Sequence, residues 1–182
     1  LCASRGLGDV YKRQIKKYND VENFNVYGNE RFIYQYISDK YPETELKFDI
    51  EQIKLTTIDI EVKSEYGFPD VESCAEEILL ITLQDYTTKQ IRTWGLGAFN
   101  NKQENVIYKS FRTEYELLTD FINWWMIEDN TPEVITGWNS KLYDIPYLCR
   151  RIDRILGEKL KKRMSPWGLV TEEETFIAGR KH

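Results

Sequence analysis

The stretch "KLTTIDIEV", residues 54–62, alternates: Ile58, Ile60 and Val62 take turns with Thr57, Asp59 and Glu61. A period of two in β-branched residues is that of a strand with one face in a core and the other outside it. Such a strand needs paired neighbours and a layer over its apolar face, so it commits the chain to a layered fold. "ILLITLQDY" (78–86) is a nearly continuous apolar run, as expected of a central strand, and "QIRTWGL" (90–96), after the "TTK" turn, reads as its hairpin partner. The first two strands are joined by a loop, "KSEYGFPDVES", marked by Gly67 and Pro69.

Downstream the period changes. In "TEYELLTDFINWWMIED" (113–129) Leu117, Leu118, Phe121, Ile122 and Trp125 share one face of a helix, and Thr113 with Glu116 forms a T-x-x-E start signal. Trp124 and Trp125 are read as core. "EVITGWN" is a short strand ending at Gly137, followed by a second helix in "IPYLCRRIDRILG" that Gly157 ends. There Ile145, Leu148, Cys149, Ile152, Ile155 and Leu156 make the expected buried stripe, with Arg150, Arg151 and Arg154 gathered on the other side. The order β-β-β-α-β-α predicts an α/β fold: a mixed sheet of three antiparallel strands and then β-α units, with helices packed on it. Upstream, the aromatic segments "NFNVYG" and "RFIYQYISDKYP" read as strands and turns of a small β-rich module.

With 41% hydrophobic and 30% charged residues over 182, the composition is that of a globular protein and excludes a disordered or fibrous one. No stretch approaches the roughly 18 apolar residues of a membrane span, so no membrane partner is expected. Cys2, Cys74 and Cys149 are odd in number and lack metal-ligand spacing, which fits a reducing cytoplasm best, and Cys74 and Cys149 read as inert thiols. Charge is unevenly spread: 12 Asp/Glu stand against 3 Lys between Glu43 and Asp85, and 7 Lys/Arg against 2 acids between Arg150 and Arg163. These are two solvated surfaces, or an acidic cation-binding centre with a basic flank for phosphates.

Residues two apart on a strand share a face, their Cα atoms roughly 6.5 Å apart, so Asp59 and Glu61 can converge on one cation. Taken alone, D-x-E on a strand is equally a solvated polar face. A second constellation, "TGWNSKLYDIPY", sets Asp144 before Ile145 and Pro146 at a helix start, where Asp serves as an N-cap. A cap can also aim a carboxylate at the end of a neighbouring strand, so capping and catalysis are compatible.

"TIDIEV", "GFPD", "TGWNSKLYDIPYLCRRIDRILGEKLKKRMSPWGLV" and "VYGNERFIYQYISDKY" together resemble the family B DNA polymerases of T-even-type bacteriophages, from about Val21 to Val170. The resemblance implies the end of an N-terminal domain followed by the first part of a ribonuclease H-like 3′→5′ proofreading exonuclease domain. It implies a first motif at Asp59 and Glu61 and a second at Asp144. These acids would hold two Mg²⁺ or Mn²⁺ ions for hydrolysis of the 3′-terminal phosphodiester of DNA. Phe68 matches a loop aromatic that contacts unpaired bases; Asn139 and Tyr143, within the second motif, are expected DNA-binding residues, and Lys161, Lys162 and Arg163 are candidate phosphate contacts. The implied partners are a single-stranded 3′ end, primer-template DNA in a parent polymerase, and a sliding clamp and replisome proteins through other regions. The implied setting is the bacterial host cytoplasm.

Residues 1–14, "LCASRGLGDVYKRQ", resemble a translated assembly artefact, and "EEETFIAGRKH" stops without a closing element, so the sequence is expected to be a fragment. The expected division is 1–14 without fold information, 15–54 the N-terminal remnant and 55–182 the partial exonuclease. The family's third motif, a Tyr with an Asp four residues later, and the palm acids of polymerisation are not found. The fragment is therefore expected to turn over weakly. The alternatives are a stand-alone exonuclease of the same fold and a catalytically silent nucleic-acid-binding module.

Overall fold

The structure, a computed structural model, describes residues 32–42, 47–65, 67–171, 176–177 and 180–181. The chain divides into two compact units, Leu1–Asp49 and Ile50–His182. In the first, Phe32–Lys40 is a helix, α1, which corrects the strand-and-turn expectation for "RFIYQYISDKYP". Aromatic and β-branched content favours strands, but Ile33 and Ile37 stand four apart and Gln35 donates to Asp39 at 2.8 Å, an i,i+4 pair that suits a helix. Lys40 complements the negative end, the Tyr41 amide closes the last turn on the Ile37 carbonyl at 2.9 Å, and Pro42 follows. The described part of the expected β-rich module is thus helical, and "NFNVYG" lies outside the described residues.

The second unit is built on a five-stranded sheet. Its strands are β1 (Leu55–Val62), β2 (Ile78–Asp85), β3 (Ile91–Leu96), β4 (Val106–Phe111) and β5 (Val134–Thr136), in the order β4-β3-β2-β1-β5. β1, β2 and β3 pair antiparallel as expected, while β3–β4 and β1–β5 are parallel. The alternation of β1 is realised: Thr56, Ile58 and Ile60 are buried, Asp59 and Glu61 exposed. Opposite Glu61 the register breaks, for Glu61 pairs with Leu80 but Val62 with Ile78. The extra residue, Leu79, is a bulge that returns Ile78 to the buried side with Ile81 and Leu83; without it, parity would turn Ile78 to the carboxylate side.

The β2–β3 turn is held by Asp85, whose carboxylate accepts from the Thr88 amide at 2.6 Å and its hydroxyl at 2.8 Å, with Lys89 left-handed at φ 59°. β4 is absent from the expected order. Its alternation is short and follows the polar run "NNKQEN", so it reads as linker until an edge strand is seen there. Tyr108 of β4 lies across Gly95 and donates to the Gly97 carbonyl at 2.9 Å. A Cβ at Gly95 would stand 2.2 Å from the Tyr108 oxygen, so only glycine admits that ring.

Two helices cover the Ile58 face. In α2 (Glu114–Trp125) Leu117, Leu118, Phe121, Ile122 and Trp125 are buried as the spacing predicts. Thr113 caps it through the Glu116 amide, while the Glu116 carboxylate reaches back to the Arg112 amide at 3.1 Å. Trp94 is the centre of an aromatic cluster, edge-on to Phe121 at 5.2 Å and to half-buried Trp124 at 5.1 Å, and its indole donates to Asp120 at 2.9 Å. In α3 (Asp144–Leu156) Tyr147, Leu148, Cys149 and Ile152 are buried, whereas Ile145, Ile155 and Leu156 are only partly so.

Arg151 is also buried, 5% exposed, which corrects its placement on the outer side of α3. Its guanidinium forks onto Glu114 of α2 with two 2.6 Å bonds and donates to the Cys74 and Ala75 carbonyls at 2.9 and 3.1 Å. Glu114 accepts in addition from the Ile78 amide at 2.9 Å, next to the bulge. A buried charge is tolerated only when paired and hydrogen-bonded, and the partner lies 37 residues away in sequence, where residue type alone gives no warning. Beyond α3, Gly157 (φ 90°) leads into a short α4 (Glu158–Lys161), and β6 (Phe176–Ile177) with β7 (Arg180–Lys181) forms a two-stranded hairpin. Among the described residues no helix is long and apolar enough to cross a membrane.

Candidate active site

Asp59 and Glu61 leave β1 on the face turned away from the core that α2 and α3 share with Ile58 and Ile60. What brings the second motif to them is the shortness of β5. It pairs with β1 only from Leu55 to Thr57, so the β1 backbone beyond that point lacks a strand neighbour on this side. Gly137 passes against it: a Cβ there would stand 2.5 Å from the Ile58 carbonyl oxygen, so glycine is required for the approach. The chain then turns through Asn139, left-handed at φ 58°, whose carbonyl accepts from the Leu142 and Tyr143 amides at 2.9 and 3.0 Å.

That turn delivers Asp144 to the exposed edge. Its Oδ1 accepts from the Ile60 amide at 3.1 Å, taking the ladder position that β5 has vacated. The amide belongs to the residue between Asp59 and Glu61, so Asp144 is tied to the strand segment that carries both acids. Asp144 is 3% exposed. Burial holds its carboxyl above the ordinary carboxylate range; the Ile60 amide and its own backbone N–H act in the opposite direction, and the Asp59 charge adds to the rise. The local capping role is corrected here. Tyr143 is the cap residue, without a side-chain cap bond, and Asp144 is the first helical residue with its carboxylate spent on β1.

Phe68, on the loop between β1 and β2, is 80% exposed and packs against Tyr143 with ring centroids 4.7 Å apart. Tyr143 packs in turn on Tyr147 at 5.6 Å, and burial together with the Asp144 charge pushes its hydroxyl above the usual range. Trp138 is 94% exposed, the most exposed large hydrophobic side chain described. It stands between Gly137 and left-handed Asn139, next to the turn that leads to Asp144. Lys161, Lys162 and Arg163 are not brought to the acids. They follow the far end of α3, which at 13 residues is roughly 20 Å long. Lys161 pairs with Asp153 at 2.5 Å and Lys162 with Glu158 at 2.9 Å.

The site therefore assembles Asp59, Glu61, Asp144, Phe68, Tyr143 and the Asn139 turn. Carboxylates are hard oxygen donors of the kind that Mg²⁺ and Mn²⁺ prefer. Among the described residues, however, no three His, Cys, Asp or Glu side chains converge closely enough to hold an ion together. The donor chemistry fits a divalent cation, while the side chains as placed do not close a cage.

Residues 11–178 match the family described as DNA polymerase family B, exonuclease domain. The chain is 32% identical over 177 residues to the DNA-directed DNA polymerase of Escherichia phage RB69, covering 84% of this chain and 19% of that protein. To the DNA-directed DNA polymerase of Enterobacteria phage T4 it is 31% identical over 181 residues, 86% of this chain and 20% of the relative. A DNA polymerase catalytic subunit of human herpesvirus 6A is 35% identical over 104 residues, 54% of this chain and 10% of that subunit. The chain thus spans about a fifth of the length of the phage relatives. By fold, by the order of its acidic motifs and by this match across most of its length, the chain belongs to the family B DNA polymerases, as a part of their exonuclease domain.

Proposed function

We propose that this chain carries part of a proofreading exonuclease that hydrolyses the 3′-terminal phosphodiester of single-stranded DNA, within a DNA-directed DNA polymerase acting in the host cytoplasm with clamp and replisome partners. In this reading residues 15–54 end an N-terminal domain and 55–182 carry the exonuclease part. The observation that supports it is the hydrogen bond from the Ile60 amide to Asp144, which ties the helix of the second motif to the strand of the first. Asp59 and Glu61 would hold Mg²⁺ or Mn²⁺ on the open sheet face, with Asp144 as the ligand from the helix. Bound, two such ions supply an activated water and charge neutralisation at the phosphate. Phe68 and Trp138 offer π-faces on which unpaired bases stack without sequence preference, so the 3′ strand is oriented by aromatic contact. Tyr143, whose hydroxyl burial pushes above the usual range, would keep its proton and could donate it in a hydrogen bond to the DNA strand.

The test is nucleotide release from a labelled single-stranded oligonucleotide with Mn²⁺, comparing the 182-residue chain with Asp59→Ala/Glu61→Ala. Release from the parent is expected to be slow, and the double variant should lose roughly a hundredfold or more of it. Equal release by both would remove these acids from the chemistry. A second reading, a silent single-strand-binding module, is favoured by the separation of the three carboxylates. It predicts oligonucleotide binding that Mn²⁺ does not change and no release at any Mn²⁺ concentration.

A further inference from the structure

The arginines of α3 have a use that their spacing alone does not suggest. Arg150 donates to the Val71 carbonyl at 2.8 Å. Arg151 donates to those of Cys74 and Ala75, and Arg154 to those of Ser73 and Cys74 at 3.1 and 3.2 Å. One turn back on the same helix, the Tyr147 hydroxyl donates to the Glu76 carbonyl at 2.8 Å. Four side chains over about two turns of α3 therefore hold five carbonyls of one loop segment, 71–76. That segment continues the loop carrying Phe68, and α3 itself begins with Asp144, beside the Tyr143 ring on which Phe68 rests. Within the loop, the Ser73 amide donates to the Asp70 carboxylate at 2.7 Å and the Cys74 amide to the Asp70 carbonyl at 3.0 Å, and Cys74 is left-handed at φ 41°. A non-glycine residue keeps that conformation only where its surroundings over-determine it.

We propose that Arg150 and Arg154 are positioning residues: by clamping the loop carbonyls to α3 they fix Phe68 at a set height over Tyr143 and Asp144, and so govern how well a single-stranded 3′ end is held. The same helix then sets both the acid and the aromatic, and the loop cannot drift while the acid stays. The two cations serve the loop rather than DNA phosphates, although both belong to the basic stretch 150–163. Their role in DNA binding rests on the proposed function, through the reading of Phe68 as a base contact; the clamp itself does not.

Two measurements on the 182-residue chain test this. In Arg150→Ala/Arg154→Ala, amide hydrogen exchange at Ser73 and Cys74 should quicken by about tenfold or more while amides of β1, β2 and α2 stay within about twofold. Unchanged exchange at Ser73 and Cys74, or an equal rise across the sheet and α2, overturns the clamp. In the second, binding of a fluorescent single-stranded oligonucleotide should weaken several-fold in that variant, and adding Phe68→Ala should weaken it no further. Additive losses overturn the inference. Arg154→Lys keeps the charge but its shorter side chain does not bring a donor to the place of Nη1, which bonds both carbonyls, so it should bind like Arg154→Ala; full affinity in Arg154→Lys with a loosened loop would assign Arg154 to phosphate contact instead. If Phe68→Ala alone leaves binding unchanged, the base-contact reading falls, while the exchange data still decide the clamp.

Discussion

Two groups of charges stand within this one unit under opposite conditions. Glu114 and Arg151 are buried, and their forked pair is completed by the Ile78 amide and by the Cys74 and Ala75 carbonyls. Asp59 and Glu61 are exposed on an open sheet face, and buried Asp144 has a backbone amide and a like charge for company rather than a cation. Where the fold uses charge to join a bulge, a loop and two helices, it neutralises that charge internally. Where acids are left in excess, neutralisation has to arrive from outside, which is the physical content of calling the second group a binding site.

The largest effect should come from breaking the first group. Glu114→Ala leaves the Arg151 guanidinium buried without its counter-charge, which is expected to destabilise the chain by about 3–5 kcal/mol in urea unfolding. Glu114→Leu with Arg151→Met should recover only part of that loss, because an apolar pair of similar volume needs no desolvation but leaves the Ile78 amide and the Arg151-bound carbonyls of Cys74 and Ala75 without these partners. Asp59→Ala, by contrast, should change stability by less than about 0.5 kcal/mol, or raise it, since it removes like-charge repulsion from an exposed face. A similar loss in both variants would erase the distinction between the two groups.

Asp144 stands between these extremes, and two substitutions sharpen its position. Asp144→Asn keeps an oxygen for the Ile60 amide and removes the charge that burial and Asp59 both disfavour, so folding stability should hold or rise while Mn²⁺ binding falls. Asp144→Ala leaves that amide without its partner and should cost about 1–3 kcal/mol. If the Asn and Ala variants are equally unstable, the bond to β1 is not what holds the helix start.

Much of this was legible in the residues, and what was not has specific causes. The faces of β1 and the stripe and cap of α2 follow from local period, because each depends on neighbours within a few residues. Asp144 as partner of Asp59 and Glu61, by contrast, was legible only through the family resemblance, since it lies 84 residues from Ile60. The burial of Arg151 depends on a carboxylate in another helix, and the bulge at Leu79 on the register of a pairing. β4 is a half-exposed edge strand whose alternation is no stronger than a loop's. α1 was misread because its residue types favour strands while its spacing allows a helix. How Asp144 reaches β1 was hidden as well, since a three-residue β5 and the close approach of Gly137 are properties of the assembled sheet.

Cys74 gives a smaller, pH-dependent contrast. Its buried thiol is pushed up from 9.0 to about 11, burial outweighing the Arg150 and Arg151 charges that lower it. The folded chain keeps this proton where the unfolded chain has lost it, so stability should be full below about pH 9 and decline as pH rises toward 11. At pH 8 iodoacetamide should leave Cys74 unmodified until denaturant is added, as read by mass spectrometry. Rapid labelling of the folded chain would show that the loop around Cys74 opens, and with it the clamp from α3.

The smallest effect is expected at the exposed pair. Lys162 and Glu158 stand 2.9 Å apart at i,i+4, both more than half exposed, so solvent screens the attraction and side-chain entropy opposes it. Lys162→Ala should cost no more than about 0.5 kcal/mol in urea unfolding, and that difference should vanish in high salt. It lies beyond the far end of α3 from Asp144, so its loss should lower oligonucleotide affinity only through general charge, equally for every sequence and less at higher salt. A loss that persists in high salt would mean that the run 161–163 approaches the strand directly, and the basic flank would then extend the site past the helix that the acids and Phe68 share.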